Sequence, residues 1–304
     1  MNNPGKFVVP HWFCGPVALW SAGADAEGAM TVAFTGRRED PRLLTGAGKY
    51  TADKSLPGQV WAVFVRFDLA HAAIRGIETG AAREAEGVLA VLTGADMEAA
   101  GYGRGVAMMP FQGRDGALKV AKKTALLLDR VRHVGEPVLL VVTKTEAQAR
   151  DAAELIELDL EALAVVADLE GGRRPKAPPR SMRTSPVTFA LPWIFGETEA
   201  VEAPMQGAAH RVSICLSSER LIGNPMEPKA ALANWDRDVV ELWAPSQGIS
   251  GLRVGLQAVT GIAPEQMRLH AEDVGGAFGV RGLIYPEYTA IVLAAKCTPP
   301  ARAV

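Results

Sequence analysis

The sequence has few of the residues that build metal clusters and disulfide frameworks. Its three cysteines, Cys14, Cys215 and Cys297, are far apart and form no CxxC pair. That excludes a zinc ribbon or an iron–sulfur cluster held by this chain, and it points to a reducing compartment, the cytoplasm. The five histidines are equally scattered, without HxxxH spacing, so no metal-ligating residue is nominated. No apolar run approaches the ~20 residues of a membrane helix. Charge of one sign is also lacking. A formal net charge of −2 over 304 residues gives no global attraction to nucleic acid or to anionic lipid.

What is present is an ordinary globular composition, 48% apolar and 22% charged, on a chain long enough for two or three domains with their own cores. The apolar stretch from Phe7 to Trp20 is broken by Pro10, His11 and Pro16, which spoils it as a signal peptide. Residues 1–30 are read as a disordered extension, with Met30 opening the folded part.

Residues 31–168 read as one α/β unit. Gln59–Arg66, Val88–Thr93 and Pro137–Thr143 are short apolar runs of strand length. Thr143 precedes Glu146 by three residues, the spacing of a capping box, and 146–155 is alanine-rich and helical. Ile156 to Leu160 alternates acidic and apolar positions as a return strand. Residues 169–192 carry Pro175, Pro178, Pro179, Pro186 and Pro192 with scattered basic residues, the composition of an extended linker. Beyond it, in 193–304, Arg211–Cys215 and Val239–Trp243 predict strands. Ser246 predicts the cap of a helix whose Ile249, Leu252, Leu256 and Val259 share a face. Gly261 and Pro264 mark its end, Met267–Ala271 is a further strand, and Pro286 opens a helix over 287–296.

Chemistry-bearing residues concentrate in this second unit. In Val274-Gly275-Gly276-Ala277-Phe278-Gly279-Val280-Arg281-Gly282 the glycines permit positive φ and close approach to the backbone, and consecutive N–H groups can form an anion nest. Arg281 adds a charge able to pair with a phosphate. The glycines fit neither a GxGxxG fingerprint nor a P-loop, so the loop by itself is compatible with a tight structural turn as well as a binding loop. Gln247 falls at a strand-to-helix junction, either as an uncharged hydrogen-bonding group for a ligand or as a solvated helix-start residue. Glu227, between Pro225 and Pro228, can orient a partner or make a structural hydrogen bond. Tyr285-Pro286-Glu287-Tyr288 is a substrate-facing corner or a packed helix start.

The order of these segments resembles a known family. Gly36 through Tyr50 with Leu56-Pro57-Gly58, Ala70-His71-Ala72, Gly87 through Asp96, and Gly135-Glu136-Pro137-Val138 are similar to the opening of the xanthine dehydrogenase, aldehyde oxidase and carbon monoxide dehydrogenase large subunits. Asn224-Pro225-Met226-Glu227-Pro228, Ser246-Gln247, the glycine loop and Tyr285-Pro286-Glu287-Tyr288 follow in the family's order. The resemblance covers about 36–296 and implies an α+β fold: a hammerhead α/β domain followed by the first part of a molybdopterin-binding domain.

It further implies hydroxylation of an aldehyde, N-heterocycle or similar small substrate with oxygen from water, and a molybdenum–molybdopterin cofactor, in its cytosine dinucleotide form. Gln247 would approach a molybdenum ligand, and Gly276, Ala277, Phe278, Gly279 and Arg281 would bind the cofactor. FAD on a medium subunit and a 2Fe–2S cluster on a small subunit would take the electrons; nucleic acid and membrane are not expected partners. Ala277 stands where the family commonly has glycine, and Arg281 where it has lysine. Gly282 replaces the glutamate of purine-oxidising members, which argues against a purine. The glutamate that serves the family as general base lies in the C-terminal half of the large subunit, so no catalytic residue is nominated here. The expectation is an N-terminal fragment, inactive alone and completed by a missing C-terminal half. The rival expectation is a non-catalytic remnant acting as an assembly subunit.

Overall fold

The computed structural model describes residues 36–102, 111–112, 118–119, 124–167, 197–219, 221–282, 284–298 and 302–303. The extension expected over 1–30 and the linker expected over 169–192 lie outside them. Two units are distinguished, up to Ala47 and from Gly48 onward. In the first, a single helical turn, α1 (Asp40–Leu44), has Pro41 early in it, where a missing N–H costs nothing. The Asp40 carboxylate accepts from the Arg37 N–H at 3.0 Å and from its Nε at 2.8 Å. These contacts, the backbone one foremost, hold Asp40 below the usual carboxylate range.

The second unit opens with strands β1 (Trp61–Arg66), β2 (Ala72–Glu78) and β3 (Val88–Leu92) and helices α2 (Gly80–Glu84) and α3 (Gly94–Ala99). The two-residue strands β4 (Phe111–Gln112), β5 (Leu118–Lys119) and β6 (Arg130–Val131) precede β7 (Pro137–Thr143), α4 (Glu146–Glu154) and β8 (Glu157–Ala162). They form antiparallel sheets β1-β7-β3 and β6-β2-β8, with β4 and β5 paired together. Every residue of β7 is buried, which is why it reads as a continuous apolar run, without the alternation of a half-exposed strand. The cap of α4 is Thr145, not Thr143: its hydroxyl accepts the Gln148 N–H at 3.3 Å. Thr143, fully buried, donates its hydroxyl to the Thr145 carbonyl at 2.6 Å.

Helix α5 (Thr198–Gln206) is followed by a stretch with no regular structure among its described residues. Then come β9 (Leu232–Asp236), β10 (Val239–Trp243), α6 (Ile249–Thr260), β11 (Met267–His270), α7 (Pro286–Cys297) and β12 (Arg302–Ala303). The sheet order is β11-β10-β9-β12. β9 and β10 form an antiparallel hairpin, and α6 carries the chain across to β11, parallel to β10. Leu252, Leu256 and Val259 are the buried face of α6, and Gly261, left-handed at φ 72°, ends it as expected. Arg211–Cys215 differs from expectation. It belongs to no ladder among the described residues.

One core joins the two halves of this unit. Leu92, Leu140 and Val142 from the first sheet share a cluster with Leu242, Leu256, Tyr288, Ile291 and Leu293. Residues 288–295 of α7 are all buried, so the helix is apolar on every side and needs walls all round. Trp235 ties β9 to it by donating its Nε1–H to the Val292 carbonyl at 2.9 Å. No helix among the described residues is long and apolar enough to cross a membrane.

Tyr102 is buried at the edge of this core, and its hydroxyl has no partner among the described residues. Burial, reinforced by the nearby Cys297, pushes its phenol from 10.0 up to about 12. A raised folded-state pKa favours the protonated form, so this contribution is whole below pH 10 and is lost as the pH climbs towards about 12. Tyr102→Phe removes an unsatisfied hydroxyl. The variant is therefore expected to match or exceed the wild type in urea midpoint near neutrality. Its advantage should widen above pH 10; a constant difference across that range would contradict the assignment.

Candidate functional site

The glycine loop leaves β11 and returns at α7, and it is held by two elements that approach it from outside. The first is Glu227, which lies at a bend between Pro225 and Pro228. Its backbone N–H donates to the Gly275 carbonyl at 3.2 Å, and its Oε2 accepts the Gly275 N–H at 2.8 Å. A Cβ on Gly275 would stand 2.5 Å from the Glu227 Cβ, so only glycine permits this approach. The second is Gln247. Its N–H donates to the Arg281 carbonyl at 3.0 Å, and its Oε1 accepts the Arg281 N–H at 3.1 Å. Gln247 is located by the turn into α6, where the Ser246 hydroxyl accepts the Gly248 N–H at 3.0 Å. The N-cap of α6 is accordingly Gly248, and Ser246 supports the turn before it.

Arg281 fastens the loop from inside. Its side chain is fully buried, contrary to the outward phosphate-pairing role that its charge suggests. The guanidinium donates from Nε to the Gly276 carbonyl at 2.7 Å and from Nη2 to the Glu227 carbonyl at 2.5 Å. Nη2 also lies 3.3 Å from Glu227 Oε2. The planar fork of arginine suits this arrangement, with neighbouring nitrogens reaching carbonyls on two chain segments. Glu227 Oε1 and Arg281 Nη1 are buried without a partner among the described residues.

With both ends pinned, the middle of the loop takes a path through positive φ. Gly276 has φ 105° and Gly279 φ 81°, and Phe278 between them is left-handed at φ 48°, a conformation costly for a side chain of that size. The Phe278 ring is 74% exposed. A Cβ on Gly276 would meet Phe278 Cε2 at 3.0 Å and Pro225 Cβ at 3.2 Å. The N–H groups of Gly276, Ala277, Phe278 and Gly279 donate to no acceptor among the described residues. Nor does the Gln247 Nε2, and its orientation is fixed because only the carbonyl oxygen can accept from Arg281.

The structure thus brings Gln247, Gly276, Ala277, Phe278, Gly279 and Arg281 into one place. Gln247 and the four loop residues offer backbone and amide donors, whereas Arg281 is the fastening beneath them. Glu227 is the ordinary structural hydrogen-bonder of the two roles open to it. Tyr285-Pro286-Glu287-Tyr288 is a packed helix start, with Tyr288 buried and the Tyr285 hydroxyl donating to the Val280 carbonyl. Burial pushes the Tyr288 phenol above the usual tyrosine range, with Tyr285 adding to it. Lys229, which carried no sequence pattern, lies with its Nζ 3.3 Å from the centre of the Tyr285 ring. Trp243 stacks on His270 at 4.8 Å and 12°. No group of three His, Cys, Asp or Glu side chains suited to hold a metal occurs among the described residues.

A proline-flanked glutamate at a glycine loop, beside a strand-to-helix glutamine, defines a class that comparison makes explicit. Residues 45–164 match the aldehyde oxidase and xanthine dehydrogenase a/b hammerhead domain, and 184–304 match the molybdopterin cofactor-binding domain. The chain belongs to this family of molybdopterin-binding large subunits. It is 36% identical to the nicotine 6-hydroxylase large subunit of Paenarthrobacter nicotinovorans over 294 residues, which are 94% of this chain and 33% of that protein. The carbon monoxide dehydrogenase large chain of Afipia carboxidovorans is 30% identical over 271 residues, 85% of this chain and 32% of that one. Quinoline 2-oxidoreductase from Pseudomonas putida 86 superimposes with a TM-score of 0.75 at 29% identity, over 88% of this chain and 33% of the other. Cu,Mo-CO dehydrogenase does so with a TM-score of 0.74 at 28% identity, over 88% and 34%. The chain spans about a third of the length of the relatives it matches.

Because Glu227 and Arg281 are buried against each other, removing one leaves the other charge unpaired. Glu227→Ala and Arg281→Ala should each cost about 3–5 kcal/mol. The double replacement of both by Met should cost less than either single change. Urea unfolding of the three variants checks this; additive losses would mean that the pair is not coupled.

Proposed function

We propose that this chain is the first third of a molybdenum-dependent hydroxylase large subunit and forms one wall of its cofactor site. The observation that carries the reading is the set of donors left without an acceptor among the described residues beside the buried Glu227–Arg281 pair: four loop amides and the Gln247 NH₂. Uncharged, pre-oriented N–H groups suit an anionic pterin–metal complex, since they stabilise negative charge without adding a counter-ion that must itself be desolvated. The close-packed glycines support the same fit, because a Cβ at Gly275 or Gly276 would collide with the chain behind. Gln247, Gly276, Ala277, Phe278 and Gly279 would hold the group, with Arg281 acting through the loop's shape.

When bound, the cofactor supplies two-electron oxidation of a substrate carbon: C–H and water become C–OH, two protons and two electrons. This chain's part is to orient the group through Gln247 and to cover it with the Phe278 ring. The base that accepts a proton would come from the remainder of the large subunit. The electrons would pass to a 2Fe–2S small subunit and an FAD medium subunit, in a cytoplasmic complex using the cytosine dinucleotide form of the pterin. An N-heterocycle is the substrate class favoured among aldehydes and heterocycles. Two of the similar proteins are named for nicotine and quinoline chemistry, and Gly282 offers no carboxylate of the kind expected for a purine.

The test is molybdenum and pterin content of the chain purified alone and after co-expression with the remaining part of a large subunit. Metal should be retained only in the co-expressed complex; none in either preparation would overturn the reading. In such a complex Gln247→Ala should lower turnover on the order of 10²-fold, as for loss of one oriented donor at a reacting centre. The melting temperature should fall only slightly, since Gln247 is exposed and the change removes one hydrogen bond, worth about 1 kcal/mol, to the Arg281 N–H. Unaltered turnover would remove Gln247 from the site.

A further inference from the structure

Strand β1 ends on a residue that reaches beyond its own sheet. The pairing of β1 with β7 slips between Val65 and Arg66, and an irregularity of this kind re-aims the side chain beside it. The Arg66 guanidinium donates from Nη1 to the Gly135 carbonyl at 2.7 Å, in the turn before β7, and from Nη2 to Glu287 Oε1 at 2.7 Å. Its central carbon also lies 5.4 Å from the centre of the Phe64 ring. Glu287 belongs to the first turn of α7, 221 residues along the chain. Its side chain is only 23% exposed, and its Oε2 is buried without a partner among the described residues. Arg66 is the cation that answers this carboxylate.

We propose that Arg66 is a positioning residue for the glycine loop, holding its Arg281 end through Glu287 and the first turn of α7. Tyr285, at the start of that helix, donates its hydroxyl to the Val280 carbonyl and meets Tyr288 edge-on, with ring centres 5.8 Å apart. Val280 adjoins Arg281, whose N–H and carbonyl both bond to Gln247. A shift of the α7 start therefore reaches Arg281 and the Gln247 amide through Tyr285. The Gly275 end of the loop is held separately. The Lys49 N–H donates to Asp273 Oδ2 at 2.7 Å, and the Asp273 N–H donates to the Lys49 carbonyl at 3.0 Å. Residues 49–66 thus grip both ends of the loop. The apolar core shared by the two halves does not replace these contacts. Apolar packing is non-directional and leaves the turn of α7 free to rotate or slide, whereas a guanidinium fork fixes the carboxylate in direction as well as distance.

What the loop serves rests on the proposed function, but how it is held does not, so the experiment has two parts. The first is residue-resolved amide exchange of the purified chain. Arg66→Ala should speed the Arg281 amide by roughly tenfold, as the bonds to Gly135 and to the Glu287 carboxylate are lost. The Gly275 amide, and that of Val141 in the buried strand β7, should keep their rates. Asp273→Ala should do the converse, speeding Gly275 and sparing Arg281. Arg66→Lys keeps a charge opposite Glu287 and should return the Arg281 amide to within about threefold of the wild type. Should Arg66→Ala fail to fold, Glu287→Gln, of equal size, should speed the Arg281 amide by about threefold. Equal acceleration at Val141, acceleration of both loop ends by each variant, or an Arg281 amide indifferent to Arg66 and Glu287 would each overturn the proposal. The second part is molybdenum content of the co-expressed complex after gel filtration. Arg66→Ala should retain several-fold less metal than the wild type, and Arg66→Lys should recover most of it. Equal retention in the alanine variant would remove Arg66 from the site. A wild-type complex without molybdenum, with the exchange pattern intact, would count against the hydroxylase reading and leave the positioning of the loop standing.

Discussion

The buried contact between Arg281 and Glu227 is the constraint on which the candidate site depends. One guanidinium reaches the Gly276 carbonyl, the Glu227 carbonyl and the Glu227 carboxylate. That same carboxylate accepts the Gly275 N–H, so a single pair draws the two ends of the loop and a segment distant in sequence to one point. Attraction between charges at low local dielectric is strong, but so is the penalty for drying them. The pair is therefore better understood as setting a geometry than as adding stability. The geometry is specific: with Gly275 and Arg281 both tied, the chain between them passes through positive φ at Gly276, Phe278 and Gly279, and the left-handed Phe278 records the strain of that path.

The loop's position in turn depends on the packing behind it. Helix α7, buried on all sides, locks the end of the loop against β9 and against the hammerhead strands. Gln247 is delivered by the short turn between β10 and α6. The donors above the pair are thus mounted on a core that spans both family domains, and they are oriented before any ligand arrives. Pre-orientation matters because amides that need not move on binding lose little entropy when they do bind.

Much of this was legible in the sequence, for physical reasons that also explain what was not. Buried β7, the α6 stripe of Leu252, Leu256 and Val259, its Gly261 stop and the Pro286 start of α7 follow from burial patterns and backbone chemistry that act locally. β9, Leu-Ala-Asn-Trp-Asp, was not readable, because its Asn and Asp disfavour strands and its place is set by partners on both sides. Within the site, Gln247 and the glycines were nominated through motif order. The inward turn of Arg281 was not foreseeable, since it depends on Glu227, a partner 54 residues away. Arg211–Cys215 carries strand alternation without a ladder. A pattern of that kind reports the environment for which a segment is built, and here that environment is not within the described residues.

The central claim, that the ends of the loop are pinned while its middle is held open as a set of donors, is tested most directly by residue-resolved amide exchange of the loop. The amides of Gly275 and Arg281, bonded to Glu227 and Gln247, should exchange slowly, with those of Gly276, Ala277, Phe278 and Gly279 between them fast. Uniformly fast exchange from 275 to 281 would contradict the pinning, and uniformly slow exchange would contradict the open donors.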